Sequence, residues 1–204
     1  MQNIRAIIFD LGGVILDISF ELTKVAFEQL GIEHFEKMYS LKDANPLFQK
    51  LEEGKVSEEE FYESFRRSCG KNLSDEEIRD SWNSLLLEYR TGTLNALKNL
   101  RKKYKLYLLS NTNTIHWQAF TKIFDRQIKD GSLNEFFDKA YYSFEIGLRK
   151  PDLPAYEYVL KENNLNPAET LFIDDSLQNI EAAKQLGLQV IHLTSGMRIE
   201  QLEL

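Results

Sequence analysis

Residues 4–17 read IRAIIFDLGGVILD, and this stretch decides the fold. The apolar run from Ala6 to Phe9 fits a strand buried on both faces. It stops at Asp10, and Gly12 and Gly13 follow almost at once. A carboxylate at the end of a buried strand is costly unless something compensates its charge. Glycines let the backbone approach the compensating group, most simply a metal ion or a phosphoryl group.

Later stretches repeat the pattern. Leu106 to Leu109 reads as an apolar strand ending in Ser110-Asn111, and Leu171 to Ile173 as a strand ending in Asp174-Asp175. A more polar strand is expected from Ala140 to Ile146, ending in GLRKPD with Lys150, and a last strand at Val190 to Leu193. Helical patterns separate them at residues 94–102, 114–128, 154–163 and 177–186. Gly187 stands where a C-cap is expected. Alternating strands and helices predict an α/β fold, a Rossmann-like parallel sheet with helices on both faces. In such sheets the strand C-terminal ends share one edge, and ligands bind there. That edge would carry Asp10, Ser110, Asn111, Lys150, Asp174 and Asp175.

Residues 20–90 differ in character. They show no convincing strand, and helical spacing recurs over residues 20–30, 61–69 and 78–87. Capping boxes precede the last two, Ser57 with Glu60 and Ser74 with Glu77. The segment is read as an all-helical block inserted after the first strand. The expected organisation is a discontinuous core, residues 1–14 and 91–204, with a helical cap at 15–90 over the strand ends.

The chain has 204 residues, 43% hydrophobic and 12% aromatic, enough for a substantial core. Its net charge is −7 with no basic stripe, which argues against nucleic acid as a partner. The single cysteine, Cys69, excludes an intrachain disulfide. Asp10 interrupts the only apolar stretch near the start, and no run is long enough to span a bilayer. The composition is that of a soluble cytoplasmic protein; it leaves the oligomeric state open.

The predicted cluster has a definite chemistry. Three carboxylates with one lysine and no histidine suggest a divalent cation, and oxygen ligands favour a hard ion, Mg2+. An aspartate so placed can serve as a nucleophile. Ser110 and Asn111 offer a hydroxyl, an amide and backbone N–H groups before a helix, suited to phosphate oxygens. Lys150 supplies compact positive charge.

The four motifs IIFDLGGVI, LLSNT, GLRKPD and LFIDDSLQN, in this order, resemble those of the haloacid dehalogenase-like (HAD) hydrolase superfamily. Their spelling is closest to its capped sugar-phosphatase branch, which includes alpha-D-glucose-1-phosphate phosphatase. The resemblance implies a Mg2+-dependent phosphomonoester hydrolase acting through an aspartyl-phosphate on a small phosphorylated metabolite, such as a sugar 1-phosphate. It makes Asp10 the nucleophile and a metal ligand, Gly12 a metal ligand through its carbonyl, and Asp175 the third ligand. Asp174 and Asn179 would support these ligands. Ser110, Asn111 and Lys150 would hold the phosphoryl group, and Lys150 would stabilise its charge. Most phosphatases of the superfamily carry a second Asp at the position of Gly12, which protonates the leaving group. Its absence puts the proton route in question and keeps two alternatives open: a 2-haloacid dehalogenase-like hydrolase, and a non-catalytic phosphate-binding HAD protein.

Overall fold

The computed structural model describes residues 3–33, 35, 46–129, 131–194 and 196–204. The stretch that opens the sequence forms β1 (Ala6–Phe9), and all four of its residues are buried. Each large side chain taken fully out of water there contributes about 1.5–3 kcal/mol. β1 pairs in parallel with β4 (Lys105–Ser110) on one side and β6 (Thr170–Asp174) on the other. β5 (Lys139–Tyr142) and β7 (Gln189–His192) complete a five-stranded parallel sheet of order β5-β4-β1-β6-β7. The expected α/β fold is therefore present, with β1 central.

The two-residue alternation of β1 divides the core. Ile7 and Phe9 face one apolar cluster with Leu94, Leu97, Phe120 and Phe124. Ala6 and Ile8 face another with Tyr156, Val159, Ile180 and Ala183. The first is covered by α5 (Thr91–Leu100) and α6 (Thr114–Gln127), the second by α8 (Leu153–Glu162) and α9 (Leu177–Gln185).

Between β1 and α5 lie α1 (Phe20–Gln29), α2 (Pro46–Glu52), α3 (Glu58–Cys69) and α4 (Asp75–Asn83). Both predicted capping boxes are formed: Glu60 N donates to Ser57 Oγ at 3.2 Å, and Glu77 N to Ser74 Oγ at 3.1 Å. Phe27, Phe48, Phe61, Phe65 and Trp82 make a separate aromatic core, which also receives Ile115 from α6.

Two expectations are corrected. The segment 20–90 is not wholly helical. The helix expected to run to Leu87 stops at Asn83, and β3 (Leu86–Tyr89) follows, antiparallel to β2 (Leu16–Ile18). The apolar spacing of Leu85, Leu86 and Leu87 fits either period, and pairing with β2 favours the extended form. The strand expected over 140–146 ends at Tyr142, and Ser143–Ile146 forms a short helix, α7. Gly147 closes it at φ 69°, a backbone conformation that suits glycine. Gly187, at φ 82°, stands one residue past the C-cap Leu186 of α9.

Candidate active site

The parallel topology brings the predicted residues to one place because β1, β4 and β6 are adjacent and end at the same edge. Asp10 follows β1, and its N–H donates to the Ile173 carbonyl at 2.9 Å, so the main chain fixes it before its side chain makes any contact. Lys150 reaches it from the loop after α7. Lys150 is 1% exposed, and its Nζ donates to Asp10 Oδ1 and to Asp174 Oδ2, both at 2.7 Å. Asp174 is wholly buried and receives three further hydrogen bonds, from Ser176 N at 2.8 Å and from Asn179 Nδ2 at 3.1 and 3.0 Å.

Asp175 follows Asp174 directly, just past the end of β6. It is the exposed member of the group. Its carboxylate lies against Gly13, where a Cβ would collide with it; at φ 71° that position is doubly suited to glycine. Asp10, Asp174 and Asp175 each offer a carboxylate oxygen, and these oxygens lie within 4.8 Å of one another. Three acidic groups against one lysine leave excess negative charge, which a divalent cation would neutralise. Asp174 is committed to Lys150, Ser176 and Asn179, which leaves Asp10 Oδ2 and the Asp175 carboxylate as oxygens that could hold a hard ion.

The electrostatics follow from this crowding. Burial pushes the Asp10 carboxyl up to about 7; Lys150 pulls it down, while Asp174 and Asp175 push it further up. Burial alone would lower the Lys150 pKa, but the Asp10 and Asp174 carboxylates hold it above the ordinary lysine range. Partial desolvation, then the neighbouring Asp174, raise Asp175.

Ser110, the last residue of β4, is 3% exposed. The Asn111 side chain takes a task the sequence did not suggest. Its Nδ2 donates to the Lys150 carbonyl at 2.7 Å and its Oδ1 accepts from Lys150 N at 2.9 Å. Asn111 thus pins the Lys150 backbone across the cleft. The helix after this motif is capped by Asn113, whose Oδ1 accepts from His116 N at 3.0 Å.

A cleft of about 270 Å³ opens above Asp10, lined by Gly12, Asn111, Lys150 and Asp175 on one side and by Ile18, Phe20 and Glu52 on the other. Two charged residues in its wall escaped the sequence reading. Glu52, at the end of α2, pairs with Arg149, Nη2 to Oε2 at 2.9 Å. The only signal for Arg149 was its place beside Lys150. Glu52 gave none, because helical spacing assigns it neither to the apolar face nor to a motif.

His116 and Trp117 follow the second motif on α6. His116 is buried, stacks on Trp82 with ring centroids 4.7 Å apart, and shares a 2.9 Å hydrogen bond between Nδ1 and Asn83 Oδ1. Trp117 is at the surface, against Phe144.

The chain is similar to known proteins along nearly all its length. Residues 4–187 match the model of the haloacid dehalogenase-like hydrolase family. D-ribitol-5-phosphate phosphatase from Bacteroides thetaiotaomicron is 36% identical over 95% of this chain and 93% of its own. A crystal structure of a mutant HAD family enzyme from Bacteroides thetaiotaomicron, in complex with magnesium and inorganic phosphate, superposes with a TM-score of 0.90 at 33% identity, covering 95% of this chain and 96% of that one. A HAD-like family hydrolase from Porphyromonas gingivalis gives 0.86 at 33% identity, over 96% and 93%. The chain belongs to the haloacid dehalogenase-like hydrolase family, among its phosphatases.

Proposed function

We propose that this protein hydrolyses the phosphomonoester of a small sugar or polyol through an aspartyl-phosphate on Asp10, with Mg2+ bound by Asp10, the Gly12 carbonyl and Asp175. The observation that carries this reading is the convergence of Asp10, Asp174 and Asp175 around Lys150 at the ends of adjacent strands. Magnesium supplies positive charge to the phosphoryl oxygens and to the nucleophile.

The remaining work falls to the chain itself. Lys150 binds Asp10 through Oδ1, which leaves Oδ2 to attack phosphorus. Ser110 and the Asn111 backbone receive the phosphoryl oxygens, and the Asn111 side chain holds Lys150 in place. Asp174 and Asn179 fix the other side of Lys150 and so position it. Residues 15–90 act as the cap, closing the cleft with Ile18, Phe20 and Glu52 and shaping the space for the leaving group.

The relative named for D-ribitol 5-phosphate makes polyol and sugar phosphates the first class to try. Sugar 1-phosphates belong beside them, because an anomeric hydroxyl leaves more readily than a primary alcohol. Nucleic acid and membrane are not partners in this reading, and the setting is the cytoplasm. No helix among the described residues is long and apolar enough to cross a membrane. The paired Asp174 and Asp175 favour this metal-assisted phosphatase over a metal-free dehalogenase, which would gain nothing from the added negative charge.

The test is a panel of sugar 1-phosphates, sugar 6-phosphates and polyol phosphates with and without Mg2+, run with wild type and Asp10→Asn. Turnover should require Mg2+ and vanish in Asp10→Asn, while the circular dichroism spectrum is unchanged. Retained activity in that variant would remove Asp10 as the nucleophile.

A further inference from the structure

Gly12 brings no acid to the leaving oxygen, and a primary alcohol departs poorly as its anion. A positioned proton donor is worth about 10²–10⁴ in rate, and a carboxyl of the cleft that serves neither as nucleophile nor as metal ligand would supply one. Among the described residues its lining holds three carboxylates: Asp10, Asp175 and Glu52. Glu52 also lines a second, smaller cavity beside it, together with Gly12, Ile18, Phe20, Ser110 and Asn111. It therefore stands on the cap side of the space that faces both Gly12 and the predicted phosphoryl-binding residues.

Glu52 is held there by two contacts. The first is Arg149, whose Nε and Nη2 lie 3.0 and 2.9 Å from Glu52, both on Oε2. Arg149 thereby fixes the carboxyl group through one oxygen and leaves Oε1 for a ligand. The second is the turn behind it. Gly54 has φ 65°, and a Cβ there would penetrate the Phe144 carbonyl oxygen of α7. Only glycine lets this turn lie so close to the core, and that approach sets the end of α2 over the cleft. Burial raises the Glu52 pKa above the ordinary glutamate value, and the Arg149 guanidinium only partly opposes it. Retention of a proton is the property a general acid needs.

We propose that Glu52 is the acid–base residue of this site, acting through Oε1, and that Arg149 is the positioning residue that holds it through Oε2. The proposal rests on the phosphatase reading above. In the first step the bond between Asp10 Oδ2 and phosphorus forms, and the bond from phosphorus to the leaving oxygen breaks. The proton on Glu52 passes to that oxygen, and the alcohol departs. In the second step Glu52, now a carboxylate, takes a proton from a water molecule as the water oxygen bonds to phosphorus. The bond between phosphorus and Asp10 Oδ2 breaks, inorganic phosphate leaves, and Glu52 is again protonated.

The experiment compares two substrates with Mg2+ present: a polyol phosphate, whose leaving group needs a proton, and 2,4-dinitrophenyl phosphate, whose leaving group does not. Glu52→Gln should lower kcat/KM for the polyol phosphate by about 10²–10⁴-fold. For the dinitrophenyl ester kcat/KM should hold, with a burst of dinitrophenol because the second step has lost its base. Glu52→Ala should regain polyol phosphate turnover when formate is added. If the lone guanidinium unfolds Glu52→Gln, the pair Glu52→Gln with Arg149→Met removes that charge and should give the same split. Equal loss on both substrates, or no loss on the polyol phosphate, would overturn the assignment of Glu52 and leave the phosphatase reading intact. A wild-type protein that hydrolyses neither substrate would overturn both.

Discussion

Replacing Lys150 by Met tests the electrostatic centre of the site. Methionine is similar in length and apolar, so it fills the space and removes the charge. Lys150 is 1% exposed and serves two carboxylates at 2.7 Å. Breaking a buried ion pair by deleting one partner costs about 3–5 kcal/mol, and here one cation is shared by two anions, so the upper end applies. The cost has a ceiling, because Asp10 can take up a proton instead. Its pKa, already about 7 chiefly through burial, rises further once the pull of Lys150 is gone.

The sign of the pH effect follows. A carboxyl whose folded pKa lies above its unfolded value of about 3.8 favours folding below that value and loses this contribution as pH rises through the folded pKa. The deficit of Lys150→Met should therefore be small at acidic pH and full at alkaline pH. For a domain of this size 1 kcal/mol corresponds to about 2–4 °C in Tm, so the drop in metal-free buffer at pH 8 should be roughly 10–20 °C. Saturating Mg2+ should shrink it by returning positive charge to Asp10 and Asp175. Calorimetric melts at pH 5 and pH 8, with and without Mg2+, measure all four corners. A drop of equal size at both pH values, or none at pH 8 without metal, would refute the reasoning.

Two further outcomes are expected. Mg2+ at a hundredfold excess over its Kd should stabilise the wild-type protein by about 2.7 kcal/mol, and Asp175→Asn should abolish that gain in a thermal-shift titration. His116 should make the protein acid-labile: burial pushes its pKa down to about 3, so the stability it confers is present above its unfolded value near 6.5 and is lost as pH falls toward 3. Urea melts from pH 7 to 4 should show a shallower loss in His116→Gln than in wild type; parallel slopes would count against this origin.

The core was legible in the sequence because it repeats one unit. β1, β4 and β6 are each an apolar run that ends at or just before a polar residue, and that pattern announced both the sheet and its functional edge. Asp10, Lys150, Asp174 and Asp175 do meet there. Less was legible where two periods overlap. Leu85 to Tyr89 continues a helical pattern, yet pairing with β2 draws it into a strand. The chain thus crosses to and from the helical block on an antiparallel ribbon, tied at its foot by Arg90 donating to Asp17 Oδ1 at 2.7 Å and to the Val14 carbonyl at 2.9 Å. The side-chain task of Asn111 and the place of Glu52 were illegible for another reason. The partner of each is set by tertiary approach, across 39 residues for Asn111 to Lys150 and 97 for Glu52 to Arg149, and no local pattern encodes such a meeting.

Gly12 shows what the exchange of one acid for another requires. Its φ lies outside the left-handed region, so the backbone there accepts a side chain. A Cβ would sit 3.2 Å from Ile18 Cδ1, tighter than an ordinary contact. Ile18, the last residue of β2, thus stands where a carboxyl at position 12 would extend. The core has an apolar wall at that point, and the carboxyl comes from α2 instead, which makes proton transfer depend on the seating of the helical block. The dependence is reversible by design. Gly12→Asp in the Glu52→Gln background should recover little alone, because Ile18 deflects the new side chain. Adding Ile18→Ala opens the space, and polyol phosphate turnover should then rise while the rate of the dinitrophenyl burst stays as it was. A variant that regains the polyol reaction without the Ile18 change would show that the wall is not what keeps an acid from position 12. A variant with both changes that folds natively and still does not regain the polyol reaction would show that the leaving oxygen lies out of reach of that position.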